Sequence, residues 1–158
     1  MRKLLAAAML LGVAAAAAEL KISASNFETD EKKGYTLFQG NVQVVMGSDE
    51  FNASKVTVYV DEARKPTKFV AVGDVSFLLT TKTKDVYAGR AQEVEYLPGV
   101  KEYRFHRDVT LRQLNRPKEI SGDDVVVNLD NGRAFAKGGA EKPVMMTFEL
   151  EETGQGDD

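Results

Sequence analysis

His106 is the only histidine in the 158-residue chain, so any histidine-based triad or imidazole metal site would rest on this single ring. It lies between Phe105 and Arg107 in a strand-like run, which predicts an exposed or edge-strand residue. The carboxylates offer three groupings: Asp123 with Asp124, Glu93 with Glu95, and the cluster of Glu149, Glu151 and Glu152. Neighbours in a strand point to opposite faces, so Asp123 and Asp124 cannot act on one substrate atom, whereas Glu93 and Glu95 share a face. A shared face is what a glycosidase pair needs. It is, however, the face opposite Val94 and Tyr96, which predicts a solvated outer surface. There is no Gly-Xaa-Ser-Xaa-Gly elbow, no glycine-rich phosphate loop and no calcium-loop pattern. With no cysteine there is neither a disulfide framework nor a thiolate metal site. Catalysis has no foothold in these residues, and no cofactor or metal is implied.

The elements that carry these side chains read almost entirely as strands. Leu20, Ile22 and Ala24 alternate with Lys21, Ser23 and Ser25, and Val56, Val58 and Val60 alternate with Thr57, Tyr59 and Asp61. Such a period of two gives each strand one buried face. Further runs cover residues 35–46, 67–72, 75–80, 86–97, 103–114, 120–129 and 144–150. Turn signals separate them at Lys33-Gly34, Met46-Gly47-Ser48, Arg64-Lys65-Pro66, Pro98-Gly99, Arg116-Pro117 and Asp130-Asn131-Gly132.

Two patterns alternate along these strands. Gly40-Asn41-Val42 is answered by Gly73-Asp74-Val75 and then by Arg107-Asp108-Val109, with the valines 33 and 34 positions apart (75 minus 42, 109 minus 75). Between them comes a small residue with a valine three positions later: Ala53 and Val56, Ala91 and Val94, Gly122 and Val125. Each repeat is a pair of strands, which predicts a stacked antiparallel sheet whose units bury their faces against their neighbours. Its glycines fall where the chain bends or backbones approach closely.

The ends of the chain set its compartment. Met1, Arg2 and Lys3 precede an apolar run that closes in Ala16-Ala17-Ala18 before Glu19, the parts of a secretory signal peptide cleaved after Ala18. The run is short of the roughly twenty apolar residues of a spanning helix. Residues 19–150 then form one β-domain, and the acidic segment 151–158 is an unstructured tail. The chain holds 21 Lys and Arg against 24 Asp and Glu. Removing Arg2 and Lys3 leaves 19 against 24, a net charge of −5, which gives no indication of a basic nucleic-acid surface.

Phe38, Phe51, Phe69, Phe77, Tyr87, Tyr96, Phe105 and Phe135 fall at or near inward positions of the strands. Two arrangements accommodate them: a fully packed core, or two splayed sheets with an apolar groove between.

The run Phe38-Gln39-Gly40-Asn41-Val42-Gln43-Val44, followed by Phe51-Asn52-Ala53-Ser54-Lys55-Val56-Thr57-Val58, resembles the LptA, or OstA-like, family of periplasmic lipopolysaccharide-transport proteins. The similarity extends over residues 20–24, 64–69, 91–96 and 120–125, and departs from the family at Arg107-Asp108-Val109 and at Ser25-Asn26. It implies an all-β fold, an open twisted jelly roll of two antiparallel sheets. It further implies a periplasmic carrier of lipopolysaccharide between the inner and outer membranes. Inward residues that would line its lipid groove are Leu20, Ile22, Phe38, Val42, Val44, Phe51, Phe69, Phe77, Val94, Tyr96, Phe105, Val109, Leu111, Val125 and Val127. Lys21, Lys68, Arg104 and Arg107 are candidate partners for phosphate at the rim. Partners implied are the lipid A acyl chains, further copies of the chain joined head to tail, and jelly-roll domains of inner- and outer-membrane components. Sheet-edge pairing would use the first strand, residues 20–26, with a late one, residues 123–129 or 144–150. Two other readings stay open: a membrane-tethered partner of the same system that retains residues 1–18, and a ligand-free structural β-protein.

Overall fold

The computed structural model describes residues 19–150; the expected signal peptide and acidic tail lie outside the described residues. The alternating runs become strands β1 (Leu20–Ser23), β2 (Asn26–Asp30), β3 (Tyr35–Met46), β4 (Asp49–Val60), β5 (Pro66–Thr80), β6 (Val86–Leu97), β7 (Glu102–Gln113), β8 (Lys118–Asn128), β9 (Ala134–Lys137) and β10 (Met145–Phe148). All pair antiparallel in the order β1-β3-β4-β5-β6-β7-β8-β10, with β2 added on β3 and β9 on β8. The chain is all-β and open, as expected. Its ladder is continuous, so the two layers of the jelly roll are two halves of one sheet folded along a crease.

The two interleaved patterns build that crease. On β3, β5 and β7 two successive residues take left-handed backbone: Gly40 and Asn41 (φ 87° and 47°), Gly73 and Asp74 (95° and 46°), Arg107 and Asp108 (68° and 50°). At each point the ladder skips, as where three steps along β3 from Gln39 to Val42 face two along β4 from Lys55 to Ala53. These are β-bulges, which bend a strand and sharpen its twist. The even strands answer by a three-residue step between buried positions, Ala53 to Val56 and Ala91 to Val94. A strict period of two would send those residues to opposite faces. The odd step instead turns both halves of each strand toward one interior. Arg107 occupies the third bend in the same conformation as the two glycines, so the bend persists without glycine.

Across the interior, the ring of Phe51 lies 5.2 Å from that of Tyr103, and Phe77 lies 4.6 Å from Phe105. Val75, Leu79, Phe105 and Val125 are wholly buried. Each such side chain contributes roughly 1.5–3 kcal/mol through burial, and that sum holds the two halves together.

Several expectations are corrected. The runs 67–72 and 75–80 are one strand, β5, interrupted by its bulge. The expected first strand breaks at Ala24-Ser25, so that Asn26 begins β2. Residues 123–129 are not a free edge, because β9 pairs with Asp124 to Val127. Phe135 is 64% exposed on β9 rather than inward, because it pairs with Val126 on the outer face of β8, while its neighbour Ala136, opposite the wholly buried Val125, packs against the core. His106 faces outward but from a central strand, with β6 and β8 on either side.

Candidate functional site

The fifteen residues expected to line a groove come to one interior surface. Leu20, Val44, Phe51, Phe69, Val94 and Tyr96, joined by Met46, Val56, Ala71 and Tyr103, enclose a small cavity between the two halves, near the first edge of the sheet. Val42, Phe77, Phe105, Val109, Leu111, Val125 and Val127 form the core, and Ile22 and Phe38 pack against it, half-buried. No charged side chain lines the cavity. Its volume is about 30 Å³, room for one water, against the roughly 300–1,000 Å³ of ordinary ligand pockets. The cavity wall is therefore apolar, and the interior is nearly filled by its own side chains.

Tyr103 is the hub of this packing. Its ring lies 4.5 Å from Tyr96, 5.2 Å from Phe51 and 6.0 Å from Phe105. Its hydroxyl donates to Asp49 Oδ2 at 2.9 Å, and Asp49 Oδ1 accepts the Thr80 N–H at 3.0 Å. Burial pushes the Asp49 carboxyl above its ordinary pKa, and these two hydrogen bonds draw it back. Burial, then the neighbouring Asp49 charge, holds the Tyr103 phenol well above the usual range. Sequence reasoning missed Asp49, because a carboxylate next to Gly47-Ser48 looks like part of a turn. Tyr103 was missed as well, although its place two positions before Phe105, on the same face, was a signal that could have found it.

The outer surface ties up the residues that could have done chemistry. His106 Nδ1 meets Asp124 Oδ1 at 2.7 Å and Nε2 meets Glu95 Oε1 at 3.4 Å. Burial lowers the His106 pKa, but the hydrogen bonds and charges of Asp124 and Glu95 outweigh it and raise the group overall. Glu93 pairs with Arg107 at 3.2 Å, and Lys68 lies 4.0 Å from Glu95. Among the described residues no group of His, Asp and Glu is placed to hold a metal ion. Of the expected rim cations, Lys68, Arg104 and Arg107 already have carboxylate partners, in Glu95, Glu102 and Glu93. A cleft of about 550 Å³ beside the β7–β8 turn instead gathers Arg112, Arg116 and Lys118 against Phe148 of β10. None of these three forms an ion pair within 4 Å among the described residues.

Both ends of the sheet are open. Among the described residues β1 and β2 pair only with β3, and β9 and β10 only with β8. Exposed apolar side chains sit on these strands: Phe27 at one end, Met145, Met146 and Phe148 at the other.

A folded-over antiparallel sheet with an apolar core and, among the described residues, unpaired edges is the architecture of an open jelly roll. The family described as LptA/(LptD N-terminal domain) LPS transport protein matches residues 21–133, and the chain belongs to this family. Its members are lipopolysaccharide (LPS) transport proteins rather than enzymes. Among solved structures the fold is similar to that of LptH from Pseudomonas aeruginosa, described as the LptA homologous periplasmic component of the lipopolysaccharide transport device. The TM-score is 0.73 and the identity 17%, covering 84% of this chain and 96% of that one. No curated protein matches the chain.

Proposed function

We propose that this periplasmic member of the lipopolysaccharide-transport family is a carrier that holds lipid A acyl chains between the two halves of its sheet. The observation that carries this reading is the wholly apolar, uncharged wall running from the core to the first sheet edge at Leu20. Exposing an acyl chain to water costs about 0.8 kcal/mol per methylene, so roughly ten kcal/mol for a chain of about fourteen carbons. An interior of valine and phenylalanine removes that cost without chemistry, while sugars and phosphates stay in water. Since the resting cavity is small, the acyl chains enter by parting the two halves at the Leu20 end.

Bridging follows from the edges. Strand β1 or β2 of one molecule adds to β9 or β10 of another, and joining unlike surfaces head to tail gives an open row rather than a ring. The same edges would meet jelly-roll domains of the inner- and outer-membrane components. The signal peptide exports the chain and is removed after Ala18. A mature N-terminus at Glu19 supports the free carrier, and one at Met1 the tethered partner.

Phe69 and Tyr96, whose rings lie 6.0 Å apart on the cavity wall, provide the test. Phe69→Glu should abolish crosslinking of lipopolysaccharide to a photoreactive group in the cavity while the β-sheet circular dichroism is retained. Unchanged crosslinking would overturn the groove. The filled interior favours a second reading, a dry structural protein, and failure of the wild type to take up added lipopolysaccharide would establish it.

A further inference from the structure

We propose that the Asp49–Tyr103 hydrogen bond is a latch between the two halves of the sheet, and that it sets how fast acyl chains pass from the small cavity into the deeper core. This rests on the carrier reading above. Asp49 opens β4 in the half that holds residues 42–46, 49–53 and 75–80, and Tyr103 belongs to β7 in the opposite half. Both are buried, at 7% and 1% exposure. Among the described residues theirs is the buried side-chain hydrogen bond that joins the halves. Beside the apolar packing, the polar ties across the interior are at the loops: the Lys82 N–H to the Leu129 carbonyl, and the exposed Lys82–Asp130 ion pair.

The placement is what a gate requires. Tyr103 forms part of the cavity wall, and its ring stands between that cavity and Phe105 of the packed core. A chain advancing beyond the cavity must displace this ring. The displacement parts the halves, breaks the bond to Asp49 Oδ2 and strips a buried carboxylate of one of its two donors. A phenylalanine would fill the same space with no polar group to satisfy, whereas the hydroxyl and carboxylate are each costly to bury unless they meet. The pair therefore holds the empty interior shut and adds a barrier that lipid must cross.

The test is a double-mutant cycle on loading rate, using the purified full chain and lipopolysaccharide carrying a fluorescent acyl chain. Tyr103→Phe keeps the ring and removes the donor; Asp49→Asn weakens the acceptor. Tyr103→Phe should load about tenfold faster than wild type, the factor expected when a hydrogen bond to a charged group no longer opposes entry. The double variant should load no faster than the quicker single variant, because both changes remove one interaction. Equal rates in wild type and Tyr103→Phe, or strictly multiplicative effects in the double variant, would overturn the latch and leave the carrier intact. No uptake by any of the four proteins would overturn the carrier reading and the latch with it.

Discussion

His106 shows how a residue that looks chemical becomes structural. On the outer face of β7 it bridges Asp124 and Glu95; Lys68 neutralises Glu95 from β5, and Lys137 stands opposite Asp124 on β9. Arg104 and Glu93 flank it in the same ladder. Its folded pKa is raised, so its stabilising contribution is complete below the unfolded value near 6.5 and is lost as pH climbs through the folded value. The melting temperature of the wild type should therefore fall more than that of His106→Gln between about pH 6 and about pH 8.5. Parallel melts followed by circular dichroism would reveal this; identical slopes would mean that folding leaves the pKa of the ring unchanged.

The crease is the element on which the architecture turns. Gly73 has φ of 95°, and a Cβ there would lie 2.5 Å from Ser54 Oγ and 2.7 Å from Ser54 Cβ, on backbone that side chains rarely adopt. Gly73→Ala should cost about 2 kcal/mol from the left-handed conformation and the displaced serine. Arg107→Gly, at φ of 68°, should cost nothing, because relief of the left-handed strain offsets the lost exposed pair with Glu93. Urea melts of the two variants measure both effects, and a destabilised Arg107→Gly would show that the Arg107–Glu93 pair carries real stability. The alternating repeat was visible in the sequence as recurring types at fixed spacing. Its purpose was not, because the parity change between Ala53 and Val56 has meaning only once the opposing bulge is in place.

The whole molecule presents one apolar interior and two unfinished ends. Met146→Lys with Phe148→Glu on β10 should reduce a concentration-dependent ladder of oligomers in native mass spectrometry to monomer. The physical ground is that an exposed apolar edge strand invites pairing and charge on it opposes it. A ladder that survives would place the contact elsewhere. Local alternation indicated most of the long strands and the inward residues from Leu20 to Val127, since a period of two is written within each strand between its bulges, but it gave no sign of β2 or β9. Family membership was legible for the same reason, the repeat being a local pattern. Only the tertiary structure decided that β5 runs unbroken through its bulge, that β9 covers β8, and that Phe135 faces water. It alone brought Asp49 to Tyr103, 54 residues away, and closed the interior to about 30 Å³. Those outcomes depend on how far the two halves fold toward each other, a distance set by the summed packing of all the strands and written in no one of them.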